Sequence, residues 1–257
     1  MNNPKYKMDS FNRLLEIMNR LRAECPWDKE QTIESLRHLT IEETYELSEA
    51  ILENDVNEIK NELGDLLLHI VFYSKIASEN NDFDINDVIN TVCEKLIIRH
   101  PHIYEDVKLN SIEEVKENWE LIKKKEGSKG ALSGVPKGLP SLIKAMRIQE
   151  KASGTGFKWA NKKDALDKVV EEIKEFKIEL TKSDKDKMED EFGDILFSLI
   201  NYAGLNNINP AKALEKTNKK FINRFGYLEN MSNKLNKPIS EMSSSELMKY
   251  WDEAKVI

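Results

Sequence analysis

Cysteine, glycine and proline are scarce in this chain of 257 residues, which holds two, ten and seven of them. Cys25 and Cys93 lie far apart, with no Cys-x-x-Cys pair and no Cys/His cluster. That excludes a disulfide framework and a zinc knuckle and fits a reducing, cytoplasmic setting. There is no basic excess: 39 Lys and Arg stand against 46 Asp and Glu, a formal net charge of −7, so a nucleic-acid partner is not expected. The longest nearly apolar run, Leu66 to Tyr73, falls far short of the ~20 residues of a membrane helix, and no membrane partner is expected either. Neither a GxxxxGK[ST] loop nor a GxGxxG turn occurs, which removes P-loop kinases and dinucleotide oxidoreductases from consideration. What is present is 40% hydrophobic and 33% charged residues, enough apolar material for a packed core.

The chain repeats itself. Four of its glycines (Gly127, Gly130, Gly134, Gly138) and two of its prolines (Pro136, Pro140) crowd into one stretch, the single convincing linker. On either side the same pattern appears. Glu42, Glu43, Glu46, Glu62, Gly64 and Asp65 return as Glu171, Glu172, Glu175, Glu191, Gly193 and Asp194, each 129 positions on (171 − 42). Lys95 and Arg99 return as Lys220 and Arg224, Trp27 as Trp159, and Trp119 as Trp251. The constant offset through the acidic segment says that this part tolerates no insertion. The pattern describes a tandem duplication with units at 8–122 and 141–257, joined by a linker at 123–140.

Within each unit the period is helical. Phe11, Leu14, Leu15, Met18 and Leu21 recur on one face, and period-two alternation is rare. Asp84 reads as an N-cap for the segment that follows, and Asn209-Pro210 opens the matching helix in the second half. The expected fold is all-α: duplicated helical bundles of four or five helices each, with short connections.

The carboxylates sit where ordinary surface charge does not. Glu62 and Asp65 share a stripe on a helix whose other positions carry Leu66, Leu67, Leu68, Ile70, Val71 and Phe72, so both acids are expected to point into the protein. Glu191 and Asp194 repeat this among Ile195, Leu196, Phe197, Leu199 and Ile200. The preceding helix brings Glu42, Glu43 and Glu46 on one arc beside Leu39, Leu47 and Ala50, and its copy brings Glu171, Glu172 and Glu175. Buried carboxylates cost several kcal/mol each unless paired or bound to cations. No Lys or Arg lies within four residues C-terminal to Glu62 or Glu191, or between Glu42 and Val56, so local pairing is expected to be poor. Pairing with Lys95, Arg99, Lys220 or Arg224 is the structural alternative, and a metal ion is the chemical one. An all-carboxylate set selects hard cations such as Mg²⁺ or Mn²⁺. None of the four histidines has a Glu three residues before it, so the di-iron motif is absent. Mg²⁺ on carboxylates completes its shell with water and phosphate, and the repeated Lys-apolar-apolar-x-Arg motif supplies cations for the phosphate side.

Glu-Glu-x-x-Glu followed by Glu-x-x-Asp, present twice in a helical chain, resembles the MazG family of nucleoside triphosphate pyrophosphohydrolases. The stretch Cys25-Pro26-Trp27-Asp28-Lys29-Glu30-Gln31-Thr32 with Ser35-Leu36-Arg37 is similar to the family's N-terminal signature, as are Arg99-His100-Pro101-His102 and Gly154-Thr155-Gly156-Phe157. The resemblance spans about Phe11 to Lys255 and points to the two-domain members. It implies Mg²⁺-dependent hydrolysis of nucleoside triphosphates, ordinary or aberrant, to monophosphate and pyrophosphate. It also implies metal ligands at Glu172, Glu175, Glu191 and Asp194 with Glu171 beside them, and at Glu43, Glu46, Glu62 and Asp65 with Glu42. Lys220 and Arg224 match positions around the phosphates and Trp251 one near the nucleotide. The implied assembly is a homodimer. In such proteins the second domain tends to be the catalytic one; here Ile98 precedes Arg99 whereas Asn223 precedes Arg224.

Three rival readings remain at the level of sequence: a helical phosphohydrolase for one modified nucleotide, a non-catalytic sensor of Mg²⁺-nucleotide, and a purely structural ion-pair network. His69, replaced by Ser198 in the copy, reads as a hydrogen-bonded core residue. Trp27 and Trp159 either cap a cleft or anchor the first helix of their unit.

Overall fold

The computed structural model describes residues 4–111, 114–115, 118–119, 121–122 and 130–256, with side chains from residue 9 onward. Among the described residues there are eleven α-helices, one short 3-10 turn and no strand, the all-α class expected. No helix there is long and apolar enough to cross a membrane. The chain divides into two compact units between Asn110 and Ser111.

In the first unit, α1 (Pro4–Glu24), the short α2 (Pro26–Glu30), α3 (Ile33–Glu53), α4 (Val56–Glu79), α5 (Ile85–Arg99) and the short α6 (Pro101–Tyr104) follow in order. Local chemistry sets each start. Thr32 accepts from the Ser35 N–H at 3.1 Å while Ser35 Oγ accepts from the Thr32 N–H at 2.9 Å, a reciprocal box at the head of α3. Asp84 caps α5 by accepting from Asn86 and Asp87, as its position predicts. Met18, Leu36, Val71, Phe72 and Ile76 form the buried core, with Leu14, Leu15, Leu39 and Leu68 packed against it.

Arg22 fastens the end of α1 to this core. Its guanidinium donates to the backbone carbonyls of Asp28, Lys29 (3.0 Å) and Gln31 (3.1 Å). It also forks onto Glu79 at 3.1 and 2.5 Å and lies over the Phe72 ring. One side chain thus satisfies the carbonyls that end α2 and closes α1 onto the tail of α4.

In the second unit, α7 (Ser141–Ser153), α8 (Lys162–Lys182), α9 (Lys185–Leu205), α10 (Pro210–Leu235), the 3-10 turn (Ile239–Glu241) and α11 (Ser244–Glu253) follow. Asn209 caps α10 by accepting from Lys212 at 3.0 Å, with Pro210 in the first turn, as expected. Leu228, Met242 and Tyr250 form one core cluster, and Ala165, Val169 and Ile200 are buried on the α8/α9 pair. Residues 123–129 of the expected linker lie outside the described residues. Residues 130–140 are turns: Ser133 N–H donates to Gly130 and Val135 N–H to Leu132. Lys151, buried on α7, donates from Nζ to the Ala131 carbonyl at 3.3 Å. A Cβ at Gly134 would lie 3.2 Å from that Nζ, a close contact that the glycine avoids.

One expectation is corrected. The helix carrying Glu62 is apolar nearly all round in sequence, yet Leu67 and Ile70 are 40% and 46% exposed, as is Leu63 at 53%. The buried core of this unit gathers on the side of α4 that carries Val71, Phe72 and Ile76. All-round apolarity therefore does not bury both acids: Glu62 is buried, whereas Asp65 is exposed. Leu196, Phe197 and Leu199 are uncovered in the same way beside Glu191, and Asp194 is exposed.

Arg22→Met leaves three carbonyls and Glu79 without their shared donor and is expected to destabilise the first unit by about 2 kcal/mol, read as a lower midpoint in urea. Arg22 holds the Glu79 carboxyl below the ordinary range. Its stabilisation is therefore present above the unfolded pKa and lost as pH falls through the folded one, so the gap between variant and parent closes in acid.

Candidate metal centre

Two tight helical hairpins position the acids. Asn54, in the left-handed region at φ 58°, ends α3, and Asp55 at once caps α4 by accepting from Asn57 at 2.9 Å and Glu58 at 3.1 Å. In the second unit Ser183 at φ 56° ends α8, and Asp184 caps α9 by accepting from Lys187. The turn makes the two helices antiparallel and sets which residues share a level. Glu46 precedes Asn54 by eight residues and Glu62 follows Asp55 by seven, placing both about 11 Å from the turn at ~1.5 Å per residue. Glu175 and Glu191 stand at the same steps from Ser183 and Asp184. The unbroken 129-residue offset is therefore a geometric requirement, since an insertion in either turn would slide one acid past the other.

The result is a triad in each unit. Glu43, Glu46 and Glu62 each offer a carboxylate oxygen within 4.8 Å of the others, as do Glu172, Glu175 and Glu191. Glu62 is 9% exposed and Glu172 6%. Glu62 Oε2 is buried without a hydrogen-bond partner. Converging hard oxygens, one of them orphaned, fit a hard divalent cation. Asp65 and Asp194 lie outside these triads, one turn further along α4 and α9, although the Asp65 charge acts on both Glu43 and Glu62.

Crowding shows in the protonation of these groups. Burial, reinforced by the charges of Glu46, Glu43 and Asp65, pushes the Glu62 carboxyl above the ordinary range. Burial and then the Asp65 and Glu46 charges do the same to Glu43. Glu175 is raised first by its hydrogen bond with Glu172, then by burial and the Glu172 charge.

The second triad holds a cation that sequence reasoning missed. Lys168 Nζ reaches Glu171 Oε1 at 2.7 Å and Glu172 Oε1 at 2.9 Å, and both acids hold its ammonium well above the ordinary lysine range. This corrects the expectation of poor local pairing, which considered residues C-terminal to Glu62 and Glu191 and the segment after Glu42. The signal was present: Lys at i−4 from Glu172 lies on the same helix face.

The expected phosphate and nucleotide residues are partly assembled. The Arg224 guanidinium lies 5.8 Å from the Trp251 ring centre, and Phe221 meets Trp251 edge-on at 5.2 Å. Lys220, one turn before Arg224 on α10, is exposed. In the first unit Lys95 is exposed and Arg99 half-buried on α5. His69 is buried and hydrogen-bonded to Thr40 Oγ1 at 2.8 Å, with Tyr73 OH on the same oxygen at 2.6 Å, in keeping with its reading as a core residue. Trp27 is 55% exposed and Trp159 38%.

Each unit is thus a set of paired helices carrying one carboxylate triad, a donor set that fits a hard divalent cation. Comparison with known proteins gives the family. The model of the MazG nucleotide pyrophosphohydrolase domain matches residues 31–104 and 161–227, which contain every residue of both triads. A Thermotoga maritima protein named nucleoside triphosphate pyrophosphohydrolase/pyrophosphatase MazG is 42% identical over 95% of this chain and 95% of its own. An Escherichia coli K12 nucleoside triphosphate pyrophosphohydrolase is 37% identical over 96% of this chain and 98% of its own. A crystal structure of a mazG-related protein from Thermotoga maritima is 33% identical, covers 44% of this chain and 98% of its own, and has a TM-score of 0.40. The chain belongs to the MazG family.

Carboxyls raised in the folded state hold protons that the unfolded chain releases, so their contribution to stability falls as pH rises from the unfolded value through the raised one. In chelator, Glu62→Gln is expected to melt higher than the parent at pH 7, with the difference shrinking as pH falls through the raised Glu62 value and gone below the unfolded carboxyl value of about 4.5. The same variant is expected to lose much of the rise in Tm that Mg²⁺ gives the parent. A variant that melts lower at pH 7 and keeps the full Mg²⁺ response contradicts this account of the first triad.

Proposed function

We propose that this protein hydrolyses nucleoside triphosphates to the monophosphate and pyrophosphate with Mg²⁺, for which Mn²⁺ can substitute. The observation carrying this reading is the pair of carboxylate triads, one on each helical hairpin. The names of the full-length relatives support it. In this reading Glu172, Glu175 and Glu191, with Asp194 beside them, hold the metal in the second unit, and Glu43, Glu46, Glu62 and Asp65 hold it in the first. When bound, a divalent cation offsets the triphosphate charge and acidifies a coordinated water.

The chain's own groups do the remaining work. Glu171 or Glu172 orients a water in line with the α-phosphorus and accepts its proton. Lys220 and Arg224 neutralise the charge that builds on the departing pyrophosphate. Arg224 lies over Trp251, which places the guanidinium and the ring expected near the nucleotide side by side. Two hairpins of one design, a constant 129 residues apart, support a duplicated chain with one centre per unit. The uncovered Leu63, Leu67 and Ile70 of α4 and Leu196, Phe197 and Leu199 of α9 support a homodimer in which like faces meet.

A panel of ordinary, deoxy and damaged triphosphates, assayed for monophosphate and pyrophosphate, tests the reaction. Glu172→Gln or Asp194→Ala is expected to lower kcat at least ~100-fold with the helical content kept. Normal turnover and metal dependence in either variant removes the assignment. Leu67→Glu and Leu196→Glu are expected to shift sedimentation from dimer toward monomer, and an unchanged mass in both contradicts the proposed faces.

A further inference from the structure

The two triads follow one plan, and a single neighbouring position sets their charge apart. The residue one turn before Glu172 is Lys168; its counterpart before Glu43, at the same 129-residue offset, is Leu39. Leu39 packs against the first core beside Leu36 and Val71. Lys168 instead directs its ammonium onto Glu171 and Glu172, including a Glu172 oxygen, at 2.7 and 2.9 Å. The triad in the first unit therefore has three carboxylates and no cation in the corresponding place. Its counterpart has three carboxylates with a fixed positive charge hydrogen-bonded to one of them. A divalent ion bound to Glu172 must either displace that ammonium or sit a few ångströms from it, and like charges so close oppose each other. The side chain of Lys168 is 32% exposed, so water screens this opposition without cancelling it.

We propose that Lys168 is a built-in counter-ion that weakens bare divalent-cation binding in the second unit, so that metal is held there together with the triphosphate, whereas the first triad, flanked by Leu39, binds the cation without nucleotide. The triphosphate supplies the negative charge that offsets Lys168, which makes metal and nucleotide binding mutually reinforcing in the second unit. This inference rests on the metal reading of the triads given above.

The test uses the full chain and Mn²⁺ titrations followed by electron paramagnetic resonance. Glu43→Gln/Glu62→Gln isolates the second triad and Glu172→Gln/Glu191→Gln isolates the first. In the first of these backgrounds Lys168→Met is expected to tighten Mn²⁺ binding roughly tenfold or more, while Lys168→Arg, which keeps the charge, leaves it weak. In the second background Leu39→Lys is expected to weaken binding by a comparable factor. A non-hydrolysable triphosphate analogue is expected to tighten Mn²⁺ binding in the isolated second triad more when Lys168 is present than when it is Met. Thermal melts of each variant identify any that fails to fold; Lys168→Gln then serves in place of the Met variant. Mn²⁺ affinity that depends on the triads yet is unmoved by neutralising Lys168 overturns this inference alone. Mn²⁺ binding indifferent to both double substitutions overturns the metal reading beneath it.

Discussion

Carboxylates from facing helices are held at one level, closer together than their charges allow, and this constraint organises both units. A helical hairpin closed by a left-handed residue and an aspartate cap has little freedom of register. Asn54 with Asp55 and Ser183 with Asp184 thus do more than end one helix and begin the next. They place Glu46 against Glu62 and Glu175 against Glu191. Burial, added to by the neighbouring charges, raises the Glu43 and Glu62 carboxyls, and the hydrogen bond with Glu172, then burial and the Glu172 charge, raises Glu175. In the proposed reading a cation relieves this crowding, which otherwise costs local stability, as functional sites commonly do.

The two units resolve the same repulsion differently. The first leaves Glu62 Oε2 buried and unpartnered and uses the neighbouring Leu39 for packing. The second places Lys168 among its acids and gathers Arg224, Phe221 and Trp251 on nearby helices. The two hairpins share one spacing, and Leu39 in the first against Lys168 in the second sets their electrostatics apart. The apolar faces next to the triads carry a second consequence. Leu63, Leu67 and Ile70 are as apolar as a core stripe but stand in the open, and in the proposed homodimer a second copy covers them.

Much of this was legible in the residues. Helical period, scarce glycine and proline, and the N-caps at Asp84 and Asn209 describe the helices, because each depends on interactions within a few residues. The triads were legible because duplication repeats their spacing, and a constant offset is visible without coordinates. Asp65 and Asp194 were harder. They share a stripe with Glu62 and Glu191 in projection and lie one turn further along the axis, so their place at the proposed metal depends on the ion's position rather than on the triad itself. The burial of α4 is not readable from its pattern for a related reason: apolarity on every side does not say which faces other helices cover, and Leu63, Leu67 and Ile70 are exposed. Lys168 pairs with Glu171 and Glu172 from the N-terminal side, since a helix face runs both ways from an acid. The Arg22 clamp is not readable locally, since it joins residues 57 positions apart.

The central claim is that each hairpin holds a divalent ion through its three glutamates. Anomalous diffraction from crystals of the full chain soaked in Mn²⁺ tests it most directly. The account predicts manganese peaks in contact with Glu43, Glu46 and Glu62 and, with a triphosphate analogue present, with Glu172, Glu175 and Glu191. Well-ordered triads without manganese at either place would contradict it.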